Sequence, residues 1–129
     1  MPARVVDASA IGALLFGEPA AEKIAAALEG MELAAPTLLP YEIASICAKK
    51  IAAHPGRERQ IMDTLALFPA LNVKLYVVPP PEAVTMARAR KLTVYDAAYL
   101  WLTAELGADL ITLDEALARA WKRHRAIPR

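Results

Sequence analysis

Short apolar runs alternate along this chain with longer stretches in which apolar residues recur every third or fourth position. The first kind reads as buried strand and the second as amphipathic helix. Arg4-Val5-Val6 is a short strand, and Asp7-Ala8-Ser9 leads from it into a helix over Ala10–Phe16 that Gly17 ends. Glu18-Pro19 opens a second helix, Ala20–Glu29, stopped by Gly30. Glu32–Ala35 predicts the next strand, with Pro36 closing it. Leu38–Ala53 has helical periodicity in Leu39, Ile43, Ile46 and Cys47, and Pro40 fits its first turn, where no backbone donor is lost. His54-Pro55-Gly56 is a break before the amphipathic helix Arg57–Leu67. Val73–Val78 is the clearest strand, bounded by Asn72 and the block Pro79-Pro80-Pro81. Pro81–Lys91 predicts a helix, and Thr93 caps a long one over Val94–Leu106 that Gly107 stops. Asp109–Thr112 is the last strand and Glu115–Arg123 the last helix.

Short apolar strands separated by helices imply a parallel sheet covered on both faces, an α/β fold. The 129 residues fit one domain, 1–129, with no internal repeat, low-complexity tract or dividing linker. A hydrophobic content of 57% exceeds what one small core needs, so a second apolar surface is expected. Ala44, Cys47, Ala48 and Ile51 predict such a face, for a homodimer or a partner's helix. The formal net charge of +1 gives no strong overall field for nucleic acid. Locally, Arg119, Lys122, Arg123, Arg125 and Arg129 crowd the last turns with His124, and basic side chains suit a helix C-terminus in any case. Cys47 has no partner for a disulfide and reads as a buried thiol, so a cytoplasmic location is expected. Asp7 interrupts the apolar N-terminal stretch, which argues against a signal peptide, and no apolar run is long enough to span a bilayer. Trp101 and Trp121 read as packing residues rather than platforms for bases.

Four carboxylates stand out against this apolar background. Asp7 ends the first strand, Glu42 and Asp96 fall in the first turns of their helices, and Asp114 follows the last strand. No Lys, Arg or His lies within a helical turn of Asp96, and only Arg4 is near Asp7. A charge in apolar surroundings costs several kcal/mol, as an order of magnitude, unless something pairs with it. In a parallel sheet, ligands bind beyond the carboxyl ends of the strands, and all four acids belong to that rim. Together they would repel one another, and a hard divalent cation with oxygen ligands removes that penalty. Such an ion activates water and neutralises phosphate charge, which suits phosphodiester hydrolysis. Each acid also has a purely structural reading. Asp7 and Asp114 fit as helix caps, and Glu42 and Asp96 as first-turn residues favoured by the helix dipole.

With these positions the chain resembles the PIN-domain ribonucleases, most closely the VapC-type toxins of toxin–antitoxin pairs. The matching segments are Val6-Asp7-Ala8-Ser9, Pro40-Tyr41-Glu42-Ile43-Ala44-Ser45, Thr93-Val94-Tyr95-Asp96-Ala97-Ala98-Tyr99-Leu100, and Glu105 through Asp114. The resemblance covers essentially the full length. It implies a three-layer α/β/α fold around a short-stranded parallel sheet, and a Mg²⁺- or Mn²⁺-dependent endoribonuclease that leaves a 5′-phosphate and a 3′-hydroxyl. The family's acidic quartet falls on Asp7, Glu42, Asp96 and Asp114, and its small hydroxyl positions on Ser9 and Thr112. It further implies an RNA substrate, a homodimer, and a small VapB-type antitoxin that blocks the acidic pocket. Glu115 is the one acid just beyond the last of the four.

Two other functions are open on the residues. One is a PIN-like interaction module whose acidic pocket receives a partner's basic side chain. The retained full quartet argues against it. The other is an aspartyl-phosphate phosphatase, which wants an acid two residues after the nucleophile, where Ser9 stands. No glycine-rich phosphate loop occurs, which excludes a P-loop mechanism.

Overall fold

In the computed structural model, which describes residues 2–128, the elements follow the predicted order. They are β1 (Ala3–Val6), α1 (Ala8–Leu15), α2 (Ala21–Leu28), β2 (Glu32–Pro36), α3 (Leu39–Ala53), α4 (Glu58–Leu65), β3 (Lys74–Tyr76), α5 (Pro80–Arg90), α6 (Val94–Glu105), β4 (Asp109–Ile111) and α7 (Glu115–Arg125). Two short 3₁₀ turns, Pro55–Arg57 and Phe68–Leu71, flank α4. Neither was predicted.

The four strands are all parallel and lie in the order β3-β2-β1-β4. The chain therefore steps outward from β1 to β3, then crosses back to place β4 on the other side of β1. That reversal puts the ends of β1 and β4 side by side, the location at which open α/β sheets bind ligands. Register fixes the pairing: Val6 stands opposite Ile111, and the next backbone N–H, that of Asp7, donates to the Ile111 carbonyl. Val5, Val6, Ala34 and Ala35 are buried, as strands covered on both faces must be. Helices cover the sheet on both sides, giving three layers, and the core joins Ile11, Leu39, Ile43, Tyr99, Leu100, Leu102 and Leu117 to the central strands.

Three expectations need correction. Val73–Val78 shortens to Lys74–Tyr76, because its partner strand ends at Pro36 and the Thr37 N–H closes the ladder on the Tyr76 carbonyl. Beyond that point Val77 and Val78 have no strand to pair with. Pro36 lies inside β2, as its last residue, and is buried. The apolar side of α3 also divides differently. Cys47 is buried with Leu39 and Ile43, Ile51 is partly buried against the same core, and Ala44 and Ala48 point outward.

Turn chemistry matches the sequence closely elsewhere. Gly107 takes a left-handed φ of 59° after α6, a conformation without penalty only for glycine, and so turns the chain into β4. α5 ends with a lysine, Lys91, in the same region (φ 56°), its N–H bonded to the Ala87 carbonyl.

Candidate active site

Asp7 is the centre of the rim. As N-cap of α1, its Oδ1 accepts from the Ala10 N–H at 3.0 Å and from the Ser9 hydroxyl at 2.7 Å. Its Oδ2 accepts a short bond of 2.5 Å from the Thr112 hydroxyl, which arrives from the end of β4. Ser9 and Thr112 then bind the chain that follows β4: the Leu113 N–H donates to Ser9 Oγ at 2.9 Å and the Asp114 N–H to Thr112 Oγ1 at 3.0 Å. Two hydroxyls thus fasten the first and last strands together around one carboxylate. Three of the roughly four lone pairs of that carboxylate are occupied, so Oδ2 retains a free site.

Backbone and side-chain hydrogen bonds hold the other three acids. Asp114 is the N-cap of α7, accepting from the Leu117 N–H at 3.1 Å. The Asp96 N–H is capped by the Thr93 hydroxyl at 3.1 Å, and the same hydroxyl also acts on the Asp96 carboxylate. Glu42, in the first turn of α3, accepts a 2.6 Å bond on Oε1 from the Tyr99 hydroxyl. Tyr99 is three residues after Asp96 on α6 and so shares its helix face. The structural readings of Asp7 and Asp114 as caps are therefore correct, and both are compatible with a further role.

Electrostatics tie the four into one group. Burial, first of all, raises the Asp7 carboxyl above its ordinary value; the bonds from Thr112, Ser9 and Ala10 pull it back, and the Asp114 charge raises it further. Glu42 is raised by burial and by the charges of Asp7 and Asp96, against the lowering effect of Tyr99. Asp96 is raised by burial and by Asp114 and Asp7, against the lowering effect of the Thr93 hydroxyl. Tyr99 is driven well above its usual range by burial and by its bond to Glu42. Among the described residues, no ion pair relieves this. Arg4, the one base near Asp7 in sequence, bonds Asp109 at 3.1 Å instead, and Arg125 reaches the same acid at 3.5 Å. Glu115 is directed to Arg119 at 3.9 Å and is almost fully exposed, so it stands apart from the four.

All-oxygen donors, uncompensated negative charge and partial burial are the chemistry of a hard-cation site. In spacing the fit is looser. Among the described residues, no three acidic, His or Cys side chains stand close enough to share one ion without moving. Asp114, at an exposed position, is the least confined of the four.

Sequence reasoning missed Tyr99, whose signal was its spacing from Asp96 on an otherwise apolar helix. It placed Asp7, Glu42, Asp96, Asp114, Ser9 and Thr112, all of which the fold brings to one rim.

Comparison with known proteins gives a consistent result. Residues 4–122 match the PIN domain. Over 119 residues, 88% of this chain and 91% of its relative, the sequence is 37% identical to Ribonuclease VapC3 of Pyrobaculum aerophilum. The fold is similar to the crystal structure of PAE2754 from Pyrobaculum aerophilum, with a TM-score of 0.67, 26% identity, and coverage of 94% of this chain and 87% of that one. The matched span runs through all four acids and both hydroxyls, and the chain belongs to the PIN-domain family, in its VapC group.

Proposed function

We propose that this chain is a divalent-cation-dependent endoribonuclease and the toxin of a toxin–antitoxin pair. One observation carries the reading: four carboxylates from both halves of the chain gather at the sheet's reversal point, electrostatically coupled and, among the described residues, with no basic partner. The similarity to a VapC ribonuclease supports RNA as the substrate.

Asp7, Asp96 and Asp114 would hold Mg²⁺ or Mn²⁺, with Glu42 as a further ligand or as the group that orients water. The cation would supply charge neutralisation at the scissile phosphate and a more acidic bound water. Ser9 and Thr112 fix the Asp7 carboxylate in one rotamer, so its free lone pair keeps a constant direction. Tyr99 occupies Oε1 of Glu42 and leaves Oε2 to accept a proton from water. The products would be a 5′-phosphate and a 3′-hydroxyl. A homodimer and a small VapB-type antitoxin, masking the acids with a basic side chain, complete the proposal.

Purified Asp7→Asn and Asp96→Asn proteins, incubated with RNA and Mg²⁺ or Mn²⁺, test it. Both are expected to lose cleavage while keeping the far-ultraviolet circular dichroism of the parent. Undiminished cleavage by both would falsify the mechanism.

A further inference from the structure

We infer that the groove between the C-terminal end of α5 and helix α7 is a phosphate-binding track that holds single-stranded RNA extending from the acidic rim. This rests on the nuclease reading for what the strand is doing there. The groove encloses about 660 Å³, and every charged residue that lines it is basic: Arg90, Lys91, Arg119 and Arg123. An adjoining cavity of about 430 Å³ shares Arg90 and Ile127 with it and adds Arg125.

Helix-dipole compensation explains only part of this. It accounts for a cation or two in the last turn of each helix. It does not account for two basic helix ends held against each other, which the 3.0 Å bond from Arg90 Nε to His124 Nδ1 does here. Arg119, moreover, lies in the second turn of α7, far from its negative end. Convergence of like charges is unfavourable unless anions gather there, and a nucleic acid backbone replaces such counterions with its phosphates. Among the described residues, no ion pair engages Arg90, Lys91, Lys122 or Arg123, and the one on Arg119 is long and exposed.

The groove also starts in the right place. Leu92 in its wall is four residues before Asp96, and Ala116 is two residues after Asp114. A strand with its scissile phosphate at the acids would therefore enter the groove within a helical turn. From Ala116 to the end of α7 the track runs about 15 Å, at about 1.5 Å per residue, enough for more than one flanking phosphate.

Fluorescence anisotropy of a fluorescein-labelled single-stranded RNA, measured over a range of salt, tests this on the cleavage-silent Asp7→Asn background. Adding K91E, R119E and R123E is expected to weaken binding at least tenfold and to reduce the log–log salt slope by about two, at roughly 0.7 per phosphate contact. The alanine triple K91A/R119A/R123A should shift both in the same direction if the reversals disturb folding. The control R57E/R59E, on the α4 side, should change affinity less than about twofold. Unchanged binding in both triples, an equal loss in the control, or an equal loss for duplex DNA of the same length overturns the track. Loss of RNA binding in the triples, with an unmutated protein that cleaves no RNA, sinks the nuclease reading and leaves the track standing.

Discussion

The acidic rim and the basic groove both gather like charges, and they do so in opposite ways. At the rim, short side chains start from helix caps and first turns, Asp7 is only 6% exposed, and both its oxygens are tied down. In the groove, long side chains reach from exposed helix positions, and Arg119 retains 63% of its exposure. The rim keeps its repulsion because burial and fixed hydrogen bonds hold Asp7, its central acid, in place. The groove loses most of its repulsion to water and salt. A preorganised cluster of that kind suits a reaction centre, and a solvated one suits a substrate that must slide and leave.

Substitutions at the rim should have the largest effects. Asp7→Asn is expected to reduce cleavage by at least about a thousandfold, as loss of a principal electrostatic stabiliser does. Single-turnover assays check this. Removing the divalent ion with a chelator should bring the parent to the same floor.

Stability should respond in the opposite sense. Asp7, Asp96 and Glu42 all hold protons to higher pH in the folded chain than their ordinary values of 3.8, 3.8 and 4.5. The folded state thus binds more protons than the unfolded one over that window. Its stability from these groups is full below those ordinary values and is lost as pH rises through the folded ones. Thermal melts taken down from pH 7 towards the ordinary carboxylate range should show the penalty shrinking, and Asp7→Asn should flatten the trend. At pH 7, Mg²⁺ or Mn²⁺ should raise the melting temperature of the parent far more than that of Asp7→Asn. A flat pH profile with no response to either ion would separate the acids from any cation.

Smaller effects follow at the supports. Thr112→Val and Ser9→Ala each remove one restraint on Asp7 and should lower cleavage about 10- to 100-fold, the usual range for partners of metal ligands. Tyr99→Phe frees Oε1 of Glu42 and should alter cleavage more than it alters unfolding by urea. Breaking the exposed Arg119–Glu115 pair with Glu115→Gln should change stability by no more than about 0.5 kcal/mol. A large loss of cleavage in that variant would draw Glu115 into the site.

The order of elements was legible because strand and helix signals here are strong and glycine or proline divides them. The four acids were legible because each one breaks an apolar segment. What stayed hidden depends on partners distant in sequence. The length of β3 is set by where β2 stops, and the inward turn of Cys47 relative to Ala44 by which neighbour α3 meets. The Tyr99–Glu42 bond joins residues 57 apart, so neither segment announces it. Arg4 is the one base near Asp7 in sequence, yet within a strand alternate residues face opposite sides, and register gives it to Asp109.

β4, the last strand to be synthesised, joins the sheet directly beside β1, the first. Thr112 and Asp114 therefore reach Asp7 only after the segments between β1 and β4 have emerged from the ribosome. A nascent chain that has not yet delivered β4 carries Asp7, Glu42 and Asp96 without their fourth companion or the hydroxyl that clamps Asp7. Translation itself thereby delays assembly of the acidic rim until β4 is in place.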